Sequence, residues 1–145
     1  MTATLPARHQ TRGRWQRVQG PTLLAGGVLG ASLLLHLRDP HQSGSYAYCP
    51  WLLLTGTYCP GCGGLRAVND LSNGDLAGAA SSNLLLVASV PVLLLWWART
   101  VRDRWQGRVR QVAARRHATL AVAFLVLALV FAVVRNLPFG VWLAP

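Results

Sequence analysis

Three long apolar runs, separated by polar and Arg-rich stretches, organise the chain. The first covers Pro21 to Leu37 and is interrupted near its end by His36. The second covers Leu84 to Ala98 and reaches spanning length together with the milder stretch that begins at Leu76. The third, Ala118 to Val134, carries no charge and is bracketed by Arg115, Arg116 and Arg135. A helix crossing a bilayer needs about 20 predominantly apolar residues, with about 17 at the low limit. The pattern therefore predicts an all-α integral membrane bundle with spans at about 21–37, 76–98 and 118–134. Pro91 inside the second span predicts a kink and not an end, because neighbours in a bundle re-satisfy the freed carbonyl. Between the first two spans, Leu65 to Leu71 reads as a short helix closed by Asn73-Gly74, and Asp75 as the cap of the next helix.

The first run also has the outline of a signal peptide, a basic segment followed by an apolar one. No small-x-small cleavage site follows it; the next residues are Leu37-Arg38-Asp39-Pro40. Tyr46-Ala47-Tyr48-Cys49 does not match a lipoprotein site either. A retained helix is the better reading.

Composition sharpens this picture. Of 145 residues, 52% are hydrophobic and only 12% charged, against about 25% charged in ordinary soluble domains. Mean hydropathy is +0.35. A disordered basic chain and a disulfide-dense secreted scaffold are both excluded. Every basic residue is Arg and every acid is Asp, a usage that points to a GC-rich bacterial genome. The net charge of +10 would suit nucleic acid, but its distribution suits a membrane better. Eleven of the fourteen arginines fall in the Met1–Gly20 arm or in the stretch from Arg99 to His117. Positive charge is retained in the cytoplasm. The expected arrangement is a basic cytoplasmic arm (1–20) and one membrane domain (21–145). Within that domain a Cys-containing loop (38–75) and the C-terminus lie outside, and a basic loop (99–117) lies inside. Trp15, Trp96, Trp97 and Trp105 flank the inner ends, and Trp51 and Trp142 the outer ones, as interfacial belts do. The cytoplasmic membrane of a bacterium is the expected location. Residues Arg99 to Arg116 could form one amphipathic helix, read either as a solvated topogenic loop or as an anionic-lipid surface.

All three cysteines lie in the outer loop, as Cys49 and the pair within Cys59-Pro60-Gly61-Cys62-Gly63. Two Cys separated by two residues aim their sulfurs at a common centre. Pro fixes the turn, and Gly63 supplies positive φ and free backbone N–H groups. Three chemistries fit. A zinc knuckle would use Cys59 and Cys62, with Cys49 as third ligand and His41 as fourth, and His36 behind it. A redox dithiol would attack with Cys59 and resolve with Cys62. A disulfide from Cys49 would close a loop worth about 3 kcal/mol, although an odd count leaves one thiol over. Nearby, Arg66 and Asp70 stand four apart and are expected to pair. Arg66, Asp70, Asp75 and Asn83 read either as glue tying the loop to the bundle or as a site for a polar ligand. His9 and His117 lie in basic inner segments and read as solvated. No phosphate-binding loop, nucleophile motif or carboxylate pair stands out.

Taken together, Cys49-Pro50, Thr55-Gly56, Cys59-Pro60-Gly61-Cys62-Gly63, Arg66-Ala67, Gly74-Asp75-Leu76 and Asn83 form a specific pattern. It resembles a family of small bacterial integral membrane proteins, domain of unknown function 2752. Arg135-Asn136-Leu137-Pro138 looks like that family's ending. One position departs: Leu65 stands where members usually have Thr. The resemblance implies a membrane protein and no particular activity.

The reading ranked first is a non-enzymatic membrane component with a structural outer Cys loop. Its partners would be the bilayer and either a membrane protein or further copies of itself, not nucleic acid. The alternatives are a metal-binding module, with zinc as the fitting cation, and a thiol–disulfide oxidoreductase using Cys59 and Cys62.

Overall fold

A computed structural model describes residues 13–42, 46, 49–108 and 114–144. Among them the secondary structure is helical, with no strand. The elements are α1 (Arg14–Leu37), α2 (Pro50–Thr55), α3 (Gly64–Ser72), α4 (Leu76–Trp105), α5 (Ala114–Arg135) and a closing 3-10 helix, Pro138–Leu143. Helices α1, α4 and α5 are each long and apolar enough to cross a membrane. The three expected spans are all present, and α3 is the short helix expected between the first two.

Helix boundaries run past the apolar runs. Helix α1 begins at Arg14, where Gln16 Oε1 accepts from the Gly13 N–H at 3.3 Å. Pro21 thus lies inside the helix, and its carbonyl accepts from the Trp97 indole N–H at 3.0 Å, tying α1 to α4. Helix α4 opens on Asp75, whose carboxylate accepts from the Gly78 N–H at 2.8 Å, satisfying a donor that the helix start leaves open. It continues to Trp105 and stops at Gln106 and Gly107, the latter with φ +71°. The expected single helix from Arg99 to Arg116 therefore does not form: α4 ends at Trp105 and α5 starts at Ala114. At this end Trp15 and Trp105 meet edge to face, centroids 5.3 Å apart.

The break in α4 is not at Pro91. Pro91 sits within helical backbone, whereas Asn83 leaves the helix with φ −161° and ψ 91°. The Asn83 Oδ1 accepts from the Leu86 N–H at 2.9 Å, so a side chain caps the longer half of α4 in mid-helix. A Pro ring is tolerated in a spanning helix, while a polar side chain that replaces the backbone ladder relocates the discontinuity.

Burial is inverted relative to a water-soluble bundle. Leu23, Leu29, Leu95, Phe124 and Val133 are exposed on the long helices, while Asp70, Ser82, Asn83 and Arg135 are buried. Apolar surface of this extent needs a lipid environment. The packed centre lies among α1, α3 and α4. Ala67 and Ala79, both fully buried, let α3 and α4 approach closely. Asn69 donates from Nδ2 to the Leu35 carbonyl at 2.7 Å, and His36 Nδ1 meets the Ser72 hydroxyl at 3.1 Å. Both contacts fasten α3 to the end of α1. After α5 the tail turns back, and a Cβ at Gly140 would run into the Val134 carbonyl. Gly140→Ala should therefore displace the tail and lower stability by about 1–3 kcal/mol, read as a lower midpoint of thermal unfolding in detergent.

Candidate metal centre

The Cys loop is built from two short helices and the turn between them. Cys49 precedes α2, with Pro50 in the first helical position, where its missing N–H costs nothing. Gly56, at φ +69°, ends that helix, and the Thr55 and Thr57 hydroxyls meet at 2.8 Å just beyond it. In the Cys-Pro-Gly-Cys turn the Cys62 N–H donates to the Cys59 carbonyl at 3.1 Å. The Cys59 N–H points at the Cys62 Sγ at 3.3 Å. Gly63, at φ +77°, launches α3, the left-handed backbone the sequence assigned to it.

The three sulfurs converge. Cys49 and Cys59 Sγ are 3.6 Å apart, and Cys59 and Cys62 Sγ 3.0 Å. All three lie within 4.8 Å of one another. Thiolates held 2.3 Å from a tetrahedral zinc ion lie about 3.8 Å apart. The first pair already has that spacing, and the second would need to spread by about 0.8 Å. Cys62 is buried, while Cys49 and Cys59 are partly exposed. Burial pushes the Cys62 thiol up to about 12, helped by the neighbouring Cys59 and Cys49 thiols. Cys49 is held below the usual thiol range, chiefly by the Leu52 backbone N–H that faces it.

Side chains from α4 and α5 hold the turn from behind. Asn83 donates from Nδ2 to the Pro60 and Cys62 carbonyls, each at 3.0 Å. Asn136 brackets one peptide group: its Oδ1 accepts from the Tyr58 N–H at 2.8 Å, and its Nδ2 donates to the Tyr58 carbonyl at 2.9 Å. Arg135 donates from Nη1 to the Cys59 and Cys62 carbonyls at 3.1 and 3.0 Å, and from Nη2 to the Leu143 carbonyl at 2.8 Å. Its guanidinium lies over the rings of Tyr58 and Phe131, 5.6 and 5.0 Å from their centroids. With the Gly64 N–H on the Gly61 carbonyl, every carbonyl from Tyr58 to Cys62 has a donor. Such saturation matters wherever irregular backbone is withdrawn from water, because an unmade bond to a buried backbone group costs about 1–3 kcal/mol.

His41 is not among the sulfurs. Its Nδ1 meets Asp39 Oδ1 at 2.9 Å, and its Nε2 faces Asp70 Oδ1 at 3.4 Å. Both ring nitrogens are thus committed to carboxylates. The His41 backbone N–H and ring hold the Asp39 carboxyl below its ordinary range, with a smaller push from the Arg66 charge. The expected Arg66–Asp70 pair is not formed either. Asp70 is buried and accepts from the Ser82 hydroxyl at 2.8 Å, which turns it toward α4 and away from Arg66. Asp75 serves as the cap already described. Asn83 is the one predicted polar residue that reaches the Cys turn. Arg135 and Asn136 were read only as the flank of the third span and as part of a family ending. A cation and an amide at the exit of an apolar helix were the available signal.

Residues 49–97 match the family described as Protein of unknown function (DUF2752). This is the family that the cysteine pattern resembles, and the matched stretch contains all three sulfurs, α3 and Asn83. No curated protein and no solved structure matches the chain.

Removal of the Asn136 bracket should loosen the turn locally. Asn136→Ala is expected to speed alkylation of Cys59 by about 5- to 30-fold, the equivalent of about 1–2 kcal/mol of lost hydrogen bonding. Mass spectrometry of iodoacetamide-labelled protein in detergent measures it.

Proposed function

We propose that this protein is a non-enzymatic component of the bacterial cytoplasmic membrane that holds a thiophilic divalent cation, zinc by preference, on its outer side. Cys49, Cys59 and Cys62 are the protein ligands. The observation that carries the reading is the convergence of three sulfurs from two separate stretches of chain on one point. A single disulfide would use two of them and strand the third. Thiol–disulfide exchange is poorly served, because the resolving thiol Cys62 is buried and pushed up to about 12, which suppresses the thiolate that exchange requires. A divalent cation at this point would stabilise the thiolates and crosslink α2 to the turn before α3.

The charge pattern supports the orientation. Arg14, Arg17, Arg99, Arg102, Arg104, Arg108, Arg115 and Arg116 lie toward one end of the bundle, and the sulfurs toward the other. This asymmetry supports a reading with the N-terminus inside, and the Cys loop and C-terminus outside. The exposed apolar sides of α1 and α5 face lipid, and copies of the chain or a second membrane protein would dock there.

Protein purified in mild detergent should contain about one zinc per chain, measured by elemental analysis. Ser in place of Cys49, Cys59 or Cys62 should each remove it. A wild-type protein that takes up no zinc from a buffered zinc solution overturns the reading. Zinc displaces thiol protons, so binding should weaken as pH falls, and most of all through Cys62, the thiol with the raised value. A periplasmic-type reporter fused after Pro145 should be active, and a cytoplasmic readout would reverse the orientation.

A further inference from the structure

Arg135 is the most deeply buried charge described, 1% exposed. It forms no ion pair among the described residues. The acids of the outer loop are turned elsewhere: Asp39 to His41, Asp70 to Ser82 and His41, and Asp75 to the Gly78 N–H. The Arg135 Nη1 and Nη2 make three hydrogen bonds, all to carbonyls. Its Nε is buried with no partner. Aromatic faces and carbonyl dipoles offset part of the cost of burying a guanidinium, but they supply no net negative charge. A fixed cation at the edge of the hydrocarbon layer stays expensive until one is present.

Three thiolates around one divalent cation sum to a single negative charge. That charge would form beside Arg135, whose Nη1 already holds the backbone of two of the three cysteines. We infer that Arg135 is the built-in counter-charge of the sulfur centre. It is a positioning residue that makes the loaded site neutral and so sets its affinity for the cation. This rests on the metal reading above. The same geometry accounts for the missing acid: a carboxylate beside Arg135 would neutralise it permanently and leave the loaded cluster one charge in excess. The device also works in reverse. Stripping the cation removes the metal–thiolate charge and leaves the guanidinium without it.

The test compares Arg135→Gln and Arg135→Lys with the wild type, in detergent, by zinc competition against a chelator. Arg135→Gln should weaken zinc binding by about 10- to 100-fold. Its cobalt-saturated form should keep the wild-type thiolate-to-metal charge-transfer band, because the three ligands remain. Arg135→Lys, which keeps the charge but not the planar fork of donors, should recover most of the lost affinity. Equal zinc affinity in wild type and Arg135→Gln overturns the inference and leaves the metal site standing. So does an Arg135→Lys protein as weak as Arg135→Gln, since that marks a role in holding carbonyls only. Should Arg135→Gln fail to fold, Arg135→Lys decides alone: zinc affinity near the wild type supports the counter-charge, and a loss as large as that of Cys59→Ser overturns it. A wild-type protein that binds no zinc removes the metal reading itself, a distinct result.

Discussion

Hydrogen bonds from three side chains, Asn83, Arg135 and Asn136, to the backbone of Tyr58 to Cys62 are the constraint on which the cysteine-bearing half of the molecule depends. Backbone that is neither helix nor barrel is tolerated at the margin of a bilayer only when its polar groups are paired internally. The Cys turn pairs only part of its own backbone: the Cys62 N–H reaches the Cys59 carbonyl and the Gly64 N–H the Gly61 carbonyl, which leaves the Tyr58, Pro60 and Cys62 carbonyls without a local donor. Donors must come from neighbouring helices, and they come from the two that flank the turn. The price is a polar side chain in each. In α4 it displaces the helix break to Asn83, and in α5 it buries a guanidinium.

This arrangement makes the two ends of the bundle unlike each other. At the Arg-rich end the contacts include the Trp15–Trp105 ring pair and the Trp97 bond to the Pro21 carbonyl. At the sulfur end α1 is fastened by Asn69 and Ser72, α4 by Asp70–Ser82 and Asn83, and α5 by Arg135 and Asn136. Lipid tails are as apolar as Leu, so burial of Leu and Val gives spanning helices little reason to associate. Polar contacts and small residues do more of that work. Here they are gathered around the cysteine loop and the helix beside it, with Ala67 and Ala79 at the contact of α3 and α4.

How far the sequence reveals this follows from the range of each interaction. The three spans were legible because a run such as Ala118 to Val134 needs no partner to be recognised. Their ends were not, since helical hydrogen bonding continues through Arg14 to Gly20 and Arg99 to Trp105, where hydropathy has already fallen. Pro91 was correctly read as not ending the helix, while the backbone break at Asn83 went unread because its side chain bonds to a loop more than twenty residues away. The sulfur cluster was legible from Cys-Pro-Gly-Cys. His41 was a matter of composition, a ligand type nearby, and two carboxylates decided otherwise. Arg135 could not be separated from the topogenic arginines. What distinguishes it is a tail that folds back past Gly140 and closes over it, a long-range event with no periodic signature.

Helix α5 shows what such a hub implies for the whole molecule. Its contacts with the rest of the chain run largely through its C-terminal end and the 3-10 helix that follows, which in turn rests on α4. The group that joins α5 to the Cys turn is therefore a main determinant of where α5 sits. That group is cationic, and the turn it grips carries the thiols. A cation bound to those thiols would tighten the grip by charge as well as by crosslinking α2 to α3, and its loss would relax both together. Metal occupancy and helix association are on this view two aspects of one equilibrium, because the residue that attaches α5 is also the one facing the sulfurs.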